Sequence, residues 1–263
     1  MKYGFLGCGN MGGAIATALS KSTKNILLSS RTQETAKQLA QALGCQAASS
    51  NEEIICACDV IFLAVKPQMM ASVLDPLTAL LLEKKPVLVS MAAGLKVDRI
   101  VALAGGDLPV VRIMPNTPVS IGKGMTTYCC NSLVEESILT TLLADLSPAG
   151  RFDPIDEQLM DAATVAAGCA PAYTYMFIEA MAAGAEACGL SRDKAITYAA
   201  AAVAGAAQLL LETGEDPGRL KDAVCSPGGS TIAGVKVLEN SDFRSKVMET
   251  IAAAYQRNIE LGK

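Results

Sequence analysis

The residues best spaced for chemistry stand near the amino terminus, where Gly7-Cys8-Gly9-Asn10-Met11-Gly12 forms a G-x-G-x-x-G. The pattern follows a short apolar run, Tyr3–Leu6, and opens a helical stretch, Met11–Ser20, a context that marks a dinucleotide-binding turn. Gly7 permits the tight turn, Gly9 lets the backbone approach a pyrophosphate, and Gly12 lets the helix lie close on the strand. The helix N-terminus adds amides and partial positive charge. Roughly 20 residues further on, an acidic side chain would bind the ribose 2′-hydroxyl of NAD. This chain has Ser29-Ser30-Arg31-Thr32 there. The hydroxyls and guanidinium of Ser30 and Arg31 suit the 2′-phosphate of NADP, which a carboxylate would repel. NADPH is therefore the expected cofactor, with NADH as the alternative.

Histidine is absent. That excludes Ser-His and Cys-His nucleophilic pairs, His-ligated zinc and imidazole acid–base work. Nine cysteines show no framework spacing, and Cys56-x-Cys58 and Cys129-Cys130 lack the spacing and His partners of a zinc site. No metal site is expected, and a reducing cytoplasm is the simplest compartment. Twenty-two basic against 26 acidic residues leave a formal charge of −4, so no basic field recruits nucleic acid. Mean hydropathy is +0.34. The longest uncharged runs, Ala162–Ile178 and Ala195–Leu211, nevertheless fall short of the ~20 residues of a membrane span, and no signal peptide is expected.

The elements that position these residues divide by texture. Up to about Pro148, apolar runs at Tyr3–Leu6, Ile26–Ser29, Val60–Val65, Val87–Ser90, Val110–Ile113 and Met125–Cys129 read as strands. Between them, Thr32–Leu43, Asn51–Ala57, Gln68–Leu82, Val97–Ala104 and Leu133–Leu143 read as helices. Ser50-Asn51-Glu52-Glu53 is a capping box. This alternation predicts an α/β fold with an N-terminal doubly wound parallel sheet over residues 1–150. After Gly150 an Ala-rich, all-helical domain is expected over residues 151–263, as helices Asp156–Gly189, Arg192–Glu212, Gly218–Cys225, Thr231–Glu239 and Phe243–Leu261. Its small residues suit tight helix packing within the chain or against a second copy. Ala64-Val65-Lys66-Pro67 and Ala92-Ala93-Gly94 follow two strands, at the end where such a sheet presents ligands. Lys66 is either a ligand contact or a surface lysine ahead of a helix that starts at Pro67.

Together with Met114–Pro118, Pro171-Ala172-Tyr173, Leu220-Lys221-Asp222 and Ser226-Pro227-Gly228-Gly229-Ser230-Thr231-Ile232, these segments resemble the pyrroline-5-carboxylate reductases over essentially the whole chain. Two departures are small. Gly168-Cys169-Ala170 stands where the family commonly has Gly-Ser-Gly, and Ser230 where it often has Thr. The resemblance implies NAD(P)H-dependent reduction of 1-pyrroline-5-carboxylate to L-proline, the last step of proline biosynthesis. It implies that Leu6 to Met11 hold the pyrophosphate, Ser30 and Arg31 the adenosine ribose end and Asn51 the adenine side. Ala64–Pro67 and Ala92–Gly94 would then line the nicotinamide. Glu157, Ser230 and Thr231 would contact substrate, with Ser226 and Gly229 in the same loop. It further implies a homodimer interlocked through the C-terminal helices, often assembled into larger rings. Thr231 is the candidate hydrogen-bond donor to the imine nitrogen, and an N-cap role for its hydroxyl can coexist. Two alternatives keep the glycine loop. A β-hydroxyacid dehydrogenase would need a helical Lys a few residues before an Asn, which neither Lys194 nor Lys221 supplies. A non-enzymatic NADP-binding redox sensor would have no need of an intact Ser226–Thr231 loop.

Overall fold

The computed structural model describes residues 1–261, so the last two residues of the expected helical domain lie outside it. Eight strands form one sheet in the order β3-β2-β1-β4-β5-β6-β7-β8. They are β1 (Tyr3–Leu6), β2 (Ile26–Ser29), β3 (Gln46–Ala47), β4 (Val60–Leu63), β5 (Val87–Ser90), β6 (Val110–Met114), β7 (Gly124–Cys130) and β8 (Gly150–Pro154). The first six run parallel, β7 pairs antiparallel with β6, and β8 runs parallel with β7.

Parallel strands need crossovers, and the crossovers cover both faces. On one face α1 (Asn10–Leu19), α2 (Gln33–Leu43) and α7 (Glu136–Leu146) pack Ile15, Leu19, Ala36, Ala40, Leu142 and Leu146 against Tyr3, Phe5, Phe62, Val89, Val111 and Ile113. On the other, α3 (Asn51–Ala57), α4 (Met70–Leu74), α5 (Thr78–Lys84) and α6 (Val97–Ala104) place Ile54, Met70, Leu74, Leu81 and Ile100 on Leu6, Ile61, Leu63, Leu88 and Val110. Phe5 and Phe62 stack at 4.4 Å across neighbouring strands β1 and β4. Each fully buried side chain of this size contributes about 1.5–3 kcal/mol, and together these two cores hold the sheet.

Three local readings change. The helix expected over Gln68–Leu82 is two short helices, because Pro76 lacks an N–H and the chain takes a 3-10 turn at Asp75–Leu77. The helix expected over Asp156–Gly189 is interrupted likewise. A 3-10 turn at Glu157–Leu159 leads into α8 (Met160–Ala163), then into a π turn at Thr164–Gly168 just ahead of α9 (Ala170–Ala187), whose second residue is Pro171. The third concerns residue 150, where the sheet continues through β8 rather than ending.

The chain forms two compact units, residues 1–169 together with the segment from Ala254, and residues 170–253. The boundary expected near residue 150 thus falls inside the first unit, for the reason that β8 is paired. The second unit holds α9, α10 (Arg192–Thr213), α11 (Pro217–Ala223), α12 (Ser230–Glu239) and the start of α13 (Phe243–Leu261). Its buried cluster is small: Ala182, Ala195 and Ala199, with Ile178 and Ala185 against them. Tyr175, Met176, Tyr198, Leu209 and Val237 are exposed. Lys194 and Glu212 bounded the uncharged run counted from sequence, but α10 continues through both. Its 22 residues make it the one helix among the described residues long and apolar enough to cross a membrane, with 11% of its most apolar window buried.

Candidate functional site

The carboxyl ends of β1, β2, β4 and β5 lie along one sheet edge and bring Leu6–Gly12, Ser30-Arg31, Ala64–Pro67 and Ala92–Gly94 to it. The order of strands reverses between β1 and β4, which is where such sheets bind ligands. At that point Gly7 has φ +109°, and an added Cβ would stand 2.6 Å from the Ala64 carbonyl oxygen. Only glycine fits. A Cβ on Gly12 would meet the Gly7 carbonyl oxygen at 2.7 Å, whereas one on Gly9 would meet nothing within 4 Å. The loop is tight against β4 beneath and open above Gly9.

Gly9 is also the N-cap of α1 and offers no side-chain cap. Two other helices carry a side-chain cap: Ser50 Oγ accepts from the Glu53 amide at α3, and Asp216 Oδ1 accepts from Gly218 and Arg219 at α11. The uncapped first turn of α1 therefore retains amides for an anion. The capping box is completed one residue early, since Glu53 Oε2 accepts from the amide of Ser49 rather than Ser50.

Around this turn, Ser29 Oγ donates to Asn51 Oδ1 at 2.6 Å, tying the end of β2 to the first residue of α3. Ser30 is half-buried, Arg31 exposed and free of ion pairs among the described residues. Cys8 Sγ donates to the Ser29 carbonyl at 3.2 Å, and burial pushes its thiol pKa up to about 11. A thiol held protonated in this way is a poor nucleophile, and its hydrogen bond ties the glycine loop to the end of β2. Lys66 is exposed at the N-cap of the 3-10 turn begun by Pro67. Ala92 is buried and its amide donates to Ser90 Oγ at 3.3 Å, while Gly94 takes φ +77°.

Three residues linked to the expected site residue Glu157 escaped sequence reasoning: Arg112, Asp161 and Asn258. Arg112 lies in the middle of β6 and is 1% exposed. Its Nη1 donates to Glu157 Oε1 at 3.2 Å, and Nη2 stands 3.7 Å from Asp161 Oδ1. Asp161 in turn accepts from the buried Asn258 Nδ2 at 2.8 Å. The signal was an arginine inside the apolar run Val110–Ile113, since a strand covered on both faces must pair any charge it carries. Asn116, in the Met114–Pro118 segment, accepts from the Met125 amide and donates to the Ala167 carbonyl, which fixes that loop.

In the second unit, Ser226–Gly229 form a turn in which the Gly229 amide donates to the Ser226 carbonyl at 3.0 Å. Pro227 and Gly228, with φ +73°, supply the central residues that a type II turn requires. Gly229 is the N-cap of α12, again without a side-chain cap. Thr231 is thus the second helical residue, and the expected N-cap role of its hydroxyl is not realised because the helix starts one residue earlier. Ser226, Ser230 and Thr231 are exposed. Lys221 Nζ joins Glu239 Oε1 at 2.7 Å, linking α11 to the end of α12.

Two family models match the chain. The family model described as "Pyrroline-5-carboxylate reductase dimerisation" matches residues 157–261, and "NADP oxidoreductase coenzyme F420-dependent" matches residues 2–94. The pyrroline-5-carboxylate reductase of Escherichia coli (strain K12) is 40% identical over all of this chain and 98% of its own length. The chain belongs to the pyrroline-5-carboxylate reductase family. It resembles the solved structure of the Coxiella burnetii reductase with a TM-score of 0.91, at 29% identity over 100% of this chain and 98% of that one. The Plasmodium falciparum reductase, solved with NADP bound, gives 0.87 at 31% identity over 100% and 98%. Members of this family are NAD(P)-dependent oxidoreductases of the final step in proline biosynthesis. The dimerisation model over the helical part marks the chain as a homo-oligomer.

Proposed function

We propose that this pyrroline-5-carboxylate reductase binds NADPH, with NADH as the alternative, on its sheet edge and 1-pyrroline-5-carboxylate on the Ser226–Thr231 loop. One observation carries the reading: the two helices that open on uncapped glycines, α1 and α12, are the two that begin at the family's cofactor and substrate motifs. The space above Gly9 and the open amides of α1 fit a pyrophosphate, Ser30 and Arg31 a ribose phosphate, and Ala64–Pro67 and Ala92–Gly94 a flat ring laid against backbone. Bound there, the cofactor supplies the hydride.

The chain's own residues do the remainder. The amides of the Ser226–Ser230 turn and the first turn of α12 hold the substrate carboxylate without an arginine. The Thr231 hydroxyl donates a hydrogen bond to the ring nitrogen, which takes up a proton as the C=N carbon is reduced. Thr231→Ala is expected to lower kcat/KM by about tenfold or more, since one such donor contributes up to about 10²-fold. Wild-type kinetics in that variant would remove Thr231 from the mechanism. Arg31→Ala is expected to raise the KM for NADPH about tenfold and leave that for NADH unchanged, the loss of one charge-assisted contact to phosphate. The exposed apolar side chains of α9, α10 and α12 are covered by the same helices of a second copy, and dimers built this way can associate into rings.

The deciding experiment is oxidation of NADPH and NADH by purified protein with and without 1-pyrroline-5-carboxylate, with proline quantified. Substrate-dependent turnover favouring NADPH supports the whole reading. Preference for NADH discards the role of Arg31, and cofactor binding without turnover discards the substrate.

A further inference from the structure

Among the described residues Arg112 is the one buried cation, and its Nε and Nη2 have no hydrogen-bond partner there. Its charge is balanced by two carboxylates that arrive from the segment after β8, Glu157 and Asp161. Glu157 has a second engagement. The same Oε1 that receives Arg112 accepts from the Val97 amide at 2.7 Å. Val97 is the first residue of α6, and its N-cap, Lys96, provides no side-chain acceptor. The carboxylate of Glu157 thus caps α6 from 60 residues away in sequence, with the favourable sign for a helix N-terminus.

The chain between β5 and α6 is the Ala92–Gly94 loop. Its two ends are held by side chains: Ser90 Oγ takes the Ala92 amide at one, Glu157 takes the Val97 amide at the other. Between them Gly94 occupies the left-handed region, so the path of the loop is set by where α6 begins. Resting on the function proposed above, we propose that Glu157, held by Arg112, is a positioning residue for the Ala92–Gly94 loop and so sets cofactor affinity.

Val97→Pro tests this most directly. Proline is well tolerated at the first helical position and removes only the donor, and Lys96 already has the extended backbone (ψ 159°) that a following proline requires. The full-length variant is titrated with NADPH by calorimetry without substrate, and kcat, both KM values and the melting temperature are measured. The expected result is a Kd for NADPH raised about tenfold, the loss of one hydrogen bond to a charged acceptor, with the KM for 1-pyrroline-5-carboxylate within about threefold of wild type. Glu157→Ala should raise the Kd for NADPH by a similar factor, and Glu157→Gln, whose amide oxygen still accepts from Val97, should recover most of the cofactor affinity. Wild-type NADPH affinity in Val97→Pro overturns the proposal, whatever its melting temperature. So does a Glu157→Gln or Glu157→Ala variant that loses substrate affinity alone. If the wild-type chain binds NADPH but reduces no pyrroline carboxylate, the proposed function falls while the Kd comparison still decides this inference.

Discussion

Gly12→Val is expected to raise the Kd for NADPH by about 100-fold or more while the chain stays folded. The new Cβ would stand 2.7 Å from both the Gly7 carbonyl oxygen and the Ala64 Cβ, and neither is the end of a flexible side chain. Relief requires the first turn of α1 to tilt away from β1 and β4. The rest of α1 resists, because Ile15, Ala16 and Leu19 are fully buried in the core beneath it. The displacement is therefore concentrated at Gly9–Met11, whose amides face the open space above the loop. Overpacking of this kind costs about 1–3 kcal/mol of stability, which a domain of this size can lose without unfolding. A calorimetric titration with NADPH and a thermal melt check both halves. A folded variant that binds NADPH within threefold of wild type would show that the close contact of helix and strand is irrelevant to the cofactor.

Gly150→Ala is expected to destabilise the chain by about 3 kcal/mol, from backbone strain and overlap combined. Gly150 has φ +127°, and an added Cβ would lie 2.6 Å from the Gly124 amide nitrogen, well inside van der Waals contact. Gly124 and Gly150 are the first paired residues of β7 and β8. Backbone meets backbone there, so no side chain can move aside. The methyl group would prise β8 from β7 and slacken the segment that carries Glu157 and Asp161 to Arg112. Urea unfolding would show a lower midpoint with a similar slope. A midpoint at the wild-type value would mean that this strand end yields freely.

The contrast between these two glycines marks what could be read from the chain alone. Gly12 was legible because its requirement is local: a strand, a turn and a helix within the first 20 residues. Gly150 was not. It was read as a domain boundary, and β8 carries a single apolar side chain that packs on the core, Phe152. An edge strand buries too little to show an apolar run, and β3, two residues long, was missed for the same reason. Pro76 and Pro171 did carry the signal that would have divided the two helices read as continuous.

By itself, then, the sequence determined the doubly wound sheet, its glycine turn and the family, since short apolar strands, helix periods and glycine spacings are set by neighbours in the chain. Only the tertiary structure decided that Glu157 meets Arg112 and caps α6, and that the sheet runs on through β8. Those contacts join residues dozens of positions apart, and a pairing of charges or backbones across that distance leaves no period in the sequence to read.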